Sequence, residues 1–273
     1  NLNGAVGSTD PLGGLQLNAA GNGAATVNVN STLALQGNLG YSSEKGLDIG
    51  QGVTAAFTKG AVFQNFPGAG VILTSAAPIT ISGFLLSGNG KEGIQVQGAN
   101  GATITGNIIA GNGTHGISVD GVSNVSIRGN TISNSGADGI VVKDSTQVAV
   151  TGNTITGSGS DGVEARKGQD NSILSNAITA NRANGIYLDQ ARGVTIVDND
   201  IAGNGTAAAN QNLTQDGGTF YGNGIYANGA KDVSIVTNTI AGNGVNAIAP
   251  ESKEISTKVY ANGIYADGTT NLA

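Results

Sequence analysis

The stretch GISVDGVSNVSIRGNTISNSGAD, residues 116–138, is followed without a gap by GIVVKDSTQVAVTGNTITGSGSD, residues 139–161. The two align position for position, and the same 23-residue pattern starts at Gly93-Ile94, Gly162-Val163 and Gly185-Ile186. Within each copy a second apolar pair comes about eight residues in, as at Val125 and Ile127, Val148 and Val150, and Val194 and Ile196. An Asn then recurs at 107, 130, 153, 176 and 199, followed two residues on by Ile109, Ile132, Ile155, Ile178 and Ile201. A fixed period of roughly 20–50 residues is the mark of a solenoid, propeller or array.

Each copy holds three short apolar runs separated by Gly, Asn, Ser and Asp. None is long enough for a helix, and their apolar residues alternate at strand spacing. Ile117 and Val119 point one way while Ser118 and Asp120 point the other. One copy is therefore one coil of three strands, stacked on the next at about 4.8 Å. Residues 23 apart then lie in vertical columns. One reads Ile94, Ile117, Ile140, Val163, Ile186, Ile225, Ile264, and another Ile104, Ile127, Val150, Ile173, Ile196, Ile235. Asn171 interrupts a column otherwise held by Val125, Val148, Val194 and Val233.

The Asn column, residues 107, 130, 153, 176, 199 and 238, has two physical causes. Asn at a corner tolerates a left-handed backbone, and its amide can donate to one neighbour while accepting from the other, as in stacked Asn ladders. Asn107, Asn130, Asn153, Asn176, Asn199 and Asn238 are thus read as a structural ladder that ends on Phe84, one coil before Asn107. The pattern seen in GISVDGVSNVSIRGNTI resembles the repeat of the right-handed parallel β-helix family, over about residues 70–273. That resemblance implies an all-β, three-strand solenoid and leaves function open, because many activities share the scaffold.

Composition excludes several classes. The chain has 46 Gly, no Cys, Met or Trp, 11% charged residues and a net charge of −6. A nucleic-acid binder needs a basic patch, so no nucleic-acid partner is expected. No apolar run approaches the roughly 18 residues of a membrane span. No disulfide framework and no signal peptide are present in the sequence. A secreted or cell-surface protein is the expectation.

In chain order, residues 1–69 are read as irregular N-terminal coils, 70–205 as regular coils and 206–273 as coils with inserted loops, all of one solenoid. Gly23, Gly46, Gly70 and Gly93 keep the period loosely at the start. The opening GAVGSTDPLGGLQLNAAG, residues 4–21, resembles a segment of giant bacterial surface adhesins of the filamentous-haemagglutinin type. After Gly185 the interval grows to 39 residues, at Gly224 and again at Gly263. Two 16-residue inserts account for it, TAAANQNLTQDGGTFY at 206–221 and VNAIAPESKEISTKVY at 245–260. Both end in Tyr and fall at the same corner, so they should stack on one side, where inserted loops often form the binding face. GTTNLA at 268–273 stops in mid-coil, which is read as part of a longer solenoid or as a subunit that associates end to end.

Three outward columns carry the candidate chemistry. The first, Gln97, Asp120, Lys143, Arg166, Asp189, Asn228, Asp267, is either a ladder of solvated ion pairs or a charged groove floor for a polysaccharide. The second, Gln95, Ser118, Val141, Glu164, Tyr187, Tyr226, Tyr265, places three stacked Tyr beside the inserts, which add Tyr221 and Tyr260. These rings either support the loops or form a sugar-stacking platform with Asp189, Asn228 and Asp267. The third, Glu92, His115, Asp138, Asp161, Asn184, Asn223, Asn262, holds the only histidine. His115, with Asp138 and Asp120, is a weak catalytic candidate, a base with an orienting carboxylate. Asp138 and Asp161, about 5 Å apart by register, have the separation of a retaining glycosidase pair. The plain alternative is corner residues that suit turns.

Polygalacturonases, pectate lyases and alginate epimerases share the β-helix scaffold and carry clustered DPHD-, GHG- or RIK-like signatures, which are absent here. The sequons Asn112-Gly113-Thr114 and Asn204-Gly205-Thr206 carry little weight in so Asn- and Gly-rich a chain. No calcium nonapeptide repeat occurs, and neither a metal nor a cofactor is expected. The sequence reading is a non-enzymatic extracellular structural or adhesive segment of a large bacterial surface protein or fibre. The alternative is a polysaccharide-binding or carbohydrate-active domain of lyase, epimerase or hydrolase type.

Overall fold

The alternation in each copy becomes three short strands per coil, such as Ile117–Asp120, Ser126–Arg128 and Thr131–Ser133. The computed structural model describes residues 61–74, 78–205, 222–244 and 263–273 in full. Outside these it describes only the strand backbones Leu15–Leu17, Ala25–Val29, Leu33–Gln36, Leu47–Ile49, Val53–Phe57, Phe220–Tyr221 and Val259–Tyr260. Successive coils build a right-handed parallel β-solenoid with three main sheets. The first sheet has ten strands, from Leu15–Leu17 to Ile264–Asp267, the second eight, from Thr80–Ser82 to Thr270–Leu272, and the third nine, from Leu33–Gln36 to Thr239–Ala241.

Register follows the period. Ile94 pairs with Ile117, Ile117 with Ile140, Ile140 with Val163 and Val163 with Ile186. The two longer intervals keep it, with Ile186 opposite Ile225 and Ile225 opposite Ile264. Phe220–Tyr221 pairs in parallel with Val259–Tyr260, Tyr221 opposite Tyr260, so the ends of both inserts stack. The inward columns are fully buried from Ile94 to Ile225. The Gly that opens each coil is needed for a close approach: a Cβ on Gly116 would meet the Gly139 carbonyl oxygen at 2.6 Å.

The N-terminal spacing differs from the Gly23 reading. Leu47 pairs with Leu15, and so the coil starts after Gly14. Residues 37–46 separate its third strand from the next coil, where residues 65–70 do so one coil later. The adhesin-like stretch 4–21 lies outside the described residues apart from the strand Leu15–Leu17.

The Asn column is a hydrogen-bonded ladder. Asn153 Oδ1 accepts from Asn130 N at 2.9 Å and Asn130 Nδ2 at 3.0 Å, while Asn153 Nδ2 donates to the Ile127 carbonyl at 2.9 Å. The same pattern runs from Asn107 through Asn176 and Asn199 to Asn238. At its head Phe84 N donates to Asn107 Oδ1 at 2.9 Å, and the Phe84 ring lies 5.4 Å from Phe63. The left-handed backbone falls one residue earlier than the sequence reading placed it, at Gly106, Gly129, Gly152, Ser175, Asp198 and Thr237. The Asn is there for its amide alone.

A second ladder runs through Asn89, Asn112, Asn181, Asn204 and Asn243. Ser135 and Ser158 take its middle positions, and their buried hydroxyls have no hydrogen-bond partner. Asn112 and Asn204 are buried at 2% and 0% exposure, which removes both as glycosylation acceptors.

Candidate functional site

The outward face of the first sheet forms an open cavity of about 340 Å³ across the coils that begin at Gly116, Gly139 and Gly162. The strands Ile117–Asp120, Ile140–Lys143 and Val163–Arg166 supply Ser118, Asp120, Val141, Lys143, Glu164 and Arg166, because the alternate residues of each strand, Ile117 and Val119, Ile140 and Val142, and Val163 and Ala165, are turned into the core. His115 and Asp138 complete the rim from the corner before the sheet.

The corner places His115 on Asp138. His115 Nδ1 lies 3.1 Å from Asp138 Oδ2 and 3.3 Å from Asp138 N. The imidazolium and the neutral Nδ1–H tautomer both donate to the carboxylate, and the neutral Nε2–H tautomer accepts the backbone N–H at Nδ1. Either way Nδ1 is committed to Asp138, and Nε2 is left as the exchangeable position. Burial alone would lower the His115 imidazolium; the hydrogen bond and charge of Asp138 outweigh it and hold the group above its ordinary value. Burial would likewise raise Asp138, but the His115 bond and charge and the Asp161 N–H hold its carboxyl below the usual range.

Glu164 is the third member, and the sequence reading did not name it as a site residue. Its carboxyl reaches Asp138 and receives Arg166 Nη2. Burial, then the charge of Asp138, push it up to about 7 against the pull of Arg166. Lys143 Nζ lies 3.2 Å from Asp120 and 3.6 Å from Asp144, an exposed arrangement. Arg166 Nε lies 3.5 Å from Asp189, which links the cavity to the next coil.

The pair that the register set at glycosidase spacing is corrected here. Asp161 is fully buried behind the rim and does not line the cavity; the carboxyl that faces it together with Asp138 is Glu164. These two differ by one coil plus three residues, a relation that column reading does not reveal.

His115, Asp138 and Asp120 therefore meet in one cavity, whereas the tyrosines lie on later coils. The Tyr187 and Tyr226 rings stack at 5.1 Å and 5°, and Tyr226 and Tyr265 at 5.3 Å and 24°. Tyr187 and Tyr226 are 8% and 4% exposed, so their faces are spent largely on one another. Burial pushes the Tyr187 phenol up to about 12. Asn228 Nδ2 donates to Asp189 Oδ1 at 3.2 Å, and Asp267 continues this column, exposed. The side chains of Tyr221 and Tyr260 lie outside the described residues. Among the described residues no group of three His, Cys, Asp or Glu is arranged to hold a metal, and no helix is long and apolar enough to cross a membrane.

A family model described as the right-handed β-helix region matches residues 15–134, 68–240 and 115–272. Among solved structures, the A-module of a mannuronan C-5 epimerase from Azotobacter vinelandii is similar, with TM-score 0.61 and 17% identity over 92% of this chain and 79% of that one. Tailspike protein 2 of an Escherichia coli O157:H7 bacteriophage gives 0.62 and 12%, over 89% of this chain but only 37% of the tailspike. Pectate lyase Pel9A gives 0.54 and 14%, over 90% and 70%. At such identities the likeness is one of fold alone. A sequence search of curated proteins finds no match.

Proposed function

The chain belongs to the right-handed β-helix family, and on that premise we propose that it binds a uronic-acid polysaccharide along its first sheet and transfers protons on one sugar, as a lyase or an epimerase does. The observation that carries this reading is the meeting of His115, Asp138 and Glu164 in one cavity, with Glu164 half-protonated near neutrality. A two-carboxylate glycosidase needs its carboxyls about 5–9.5 Å apart. Asp138 and Glu164 are in hydrogen-bond contact, which favours proton transfer over hydrolysis.

The chemistry follows from these residues. A ring C–H beside a carboxylate becomes acidic when that carboxylate is neutralised. Lys143 and Arg166, on adjacent coils, are the cations for it; the exposed Lys143–Asp120 pair is screened by solvent and exchanges readily. Neutral His115 in its Nδ1–H tautomer, which donates to the Asp138 carboxylate, takes the proton at Nε2, and Asp138 stabilises the imidazolium. Glu164 gives its own proton either to the departing glycosidic oxygen, leaving a double bond in the ring, or to the opposite face of the same carbon, inverting it. Activity needs neutral His115 and protonated Glu164, so it peaks near neutrality. The chain lacks the clustered signatures of known β-helix enzymes, and these roles rest on its own residues.

The tyrosine column enters the proposal as a wall beside the cavity, with Tyr187, Tyr226, Tyr265, Asp189, Asn228 and Asp267 offering polar edges to neighbouring sugars. A polysaccharide ligand fits a secreted or surface location. The structural or adhesive reading gains nothing from neighbours whose names are an epimerase, a lyase and a tailspike. The test is incubation with polymannuronate, polygalacturonate and a neutral glucan, read by ultraviolet absorbance of unsaturated product and by proton NMR of epimerised sugar. Wild type should act on a polyuronate, and Glu164→Gln and His115→Ala should each lose about 10²–10⁴-fold. Activity unaffected by both substitutions, or no action on either polyuronate, overturns the proposal.

A further inference from the structure

The reaction above leaves one buried carboxyl unused. Asp161 stands one rung behind Asp138 and is 0% exposed. The corner column obeys one rule, in which each side chain accepts the backbone N–H of the next coil. Asp138 N donates to His115 Nδ1 at 3.3 Å, Asp161 N to Asp138 Oδ1 at 2.9 Å, Asn184 N to Asp161 Oδ1 at 2.7 Å and Asn223 N to Asn184 Oδ1 at 3.1 Å.

In the two Asn rungs a second donor follows the first. Asn184 Nδ2 reaches Asp161 Oδ1 at 2.9 Å, and Asn223 Nδ2 reaches Asn184 Oδ1 at 3.3 Å. By the same register, Asp161 Oδ2 takes the position of that second donor, on the side of Asp138. It is buried and has no hydrogen-bond partner. An ionised oxygen there would be a bare charge in a dry corner facing an anion, which is costly. An O–H would supply what the Asn amides supply one and two coils on.

We propose that Asp161 is a neutral carboxylic acid whose Oδ2–H serves the Asp138 carboxylate, and that it is a positioning residue keeping Asp138 the anion of the His115–Asp138–Glu164 cluster. The protonation state stands on the ladder geometry alone; the positioning role rests on the proton-transfer reading. The electrostatics agree. Burial, and then the charges of Asp138 and Glu164, hold the Asp161 acid well above the carboxylate range, against the two donors of Asn184. Tyr187, itself neutral up to about 12, also faces this group, and Arg166 is the nearby cation that binds Glu164. With its proton in place, Asp161 adds a donor to Asp138 and no charge to the cluster, so the proton that moves is shared by His115 and Glu164.

Carbon-13 NMR titration of the labelled Asp and Glu carboxyls tests this. Asp161→Asn preserves every ladder bond, as Asn184 and Asn223 do in the same column, and should fold. In wild type one Asp carboxyl resonance should keep the chemical shift of an acid through pH 7 and vanish in Asp161→Asn, while the Glu164 midpoint stays near its wild-type value. If Asp161 were ionised, removing an anion so close would lower the Glu164 midpoint by about a unit or more. That drop, or an Asp161 resonance that titrates below neutrality, overturns the proposal. Asp161→Ala removes the donor; it should raise the Asp138 midpoint and shift the pH–rate profile, whereas Asp161→Asn should leave the profile in place. An inactive wild type would sink the reaction reading and leave the carboxyl titration to decide the charge of Asp161.

Discussion

Asn153→Leu tests the Asn ladder at its centre, where the side chain is 1% exposed. The substitution keeps the branching of the side chain and removes an acceptor and a donor. Asn130 N–H loses its partner outright, while Asn130 Nδ2 keeps the Ile104 carbonyl at 3.0 Å. The Ile127 carbonyl loses the Asn153 donor, and Asn176 Oδ1 keeps the Asn153 backbone N–H at 2.9 Å. Two buried groups are therefore left wanting, at about 1–3 kcal/mol each. Burial of the Leu side chain offsets up to about 2 kcal/mol of that. At the middle of that range the two groups cost about 4 kcal/mol, so the expected net loss is about 2–4 kcal/mol. Urea denaturation reads the total, and hydrogen exchange at the Asn130 amide reads the local loss, which is needed because solenoids do not always unfold as one unit. An unchanged midpoint together with unchanged Asn130 protection would refute the claim that the column holds the coils together through its hydrogen bonds.

The converse change, Ser135→Asn with Ser158→Asn, should complete the second ladder and stabilise by about 1 kcal/mol per hydrogen bond made. Gly116 and Gly139 leave these positions the same room that Gly93 and Gly185 leave Asn112 and Asn204; a lower denaturation midpoint in the double variant would show that the serines are there for packing. Stability should also fall as pH rises from about 4.5 to above 7. Glu164 has its folded value raised to about 7 and holds its proton more tightly when folded, and Asp161, also raised, acts in the same sense. His115, raised as well, stabilises below its unfolded value and loses that contribution as pH climbs through its folded one. Asp138, lowered, works the other way only on the acid side of the unfolded carboxylate range. Glu164 alone accounts for up to roughly 3 kcal/mol, and Glu164→Gln should flatten the slope of thermal midpoint against pH; an equally steep slope in that variant would contradict the assignment.

Periodicity made the fold legible because a solenoid writes its contacts into one number. Residues 23 apart touch, so the columns through Ile94 and Ile104, the Asn ladder and the contact of His115 with Asp138 could all be read before any coordinates. What crosses between columns could not. Glu164 meets Asp138 from a different column, around a corner whose geometry the period does not specify. The second ladder was hidden because Ser135 and Ser158 break it, although the recurring Gly-Asn-Gly at 88–90, 111–113, 203–205 and 242–244 was a usable signal. The period also fixed Gly129-Asn130 as a corner without saying which residue turns left-handed; that depends on which needs its amide inside.

The corner column shows how such a scaffold acquires chemistry at little structural cost. Its backbone N–H groups need an acceptor on each coil, and His115, Asp138, Asp161 and Asn184 each provide one. The ladder constrains the acceptor and leaves its proton affinity free. Asp138→Asn should therefore fold, since an Asn oxygen accepts the Asp161 N–H as Asn184 accepts that of Asn223. Its electrostatic effect should be large. His115 would lose the anion that outweighs its burial, and its midpoint should drop from above the ordinary histidine value to below it. Glu164 would lose the like charge beside it, so its midpoint should fall from about 7 toward the usual range, leaving Arg166 as its main partner. Proton NMR titration of the His115 ring follows the first change directly, because it is the only histidine. A His115 midpoint that stays where it is in wild type, in a variant with an unaltered fold, would mean that the 3.1 Å contact does not set the charge of the ring, and the assignment of His115 as the base would fall with it.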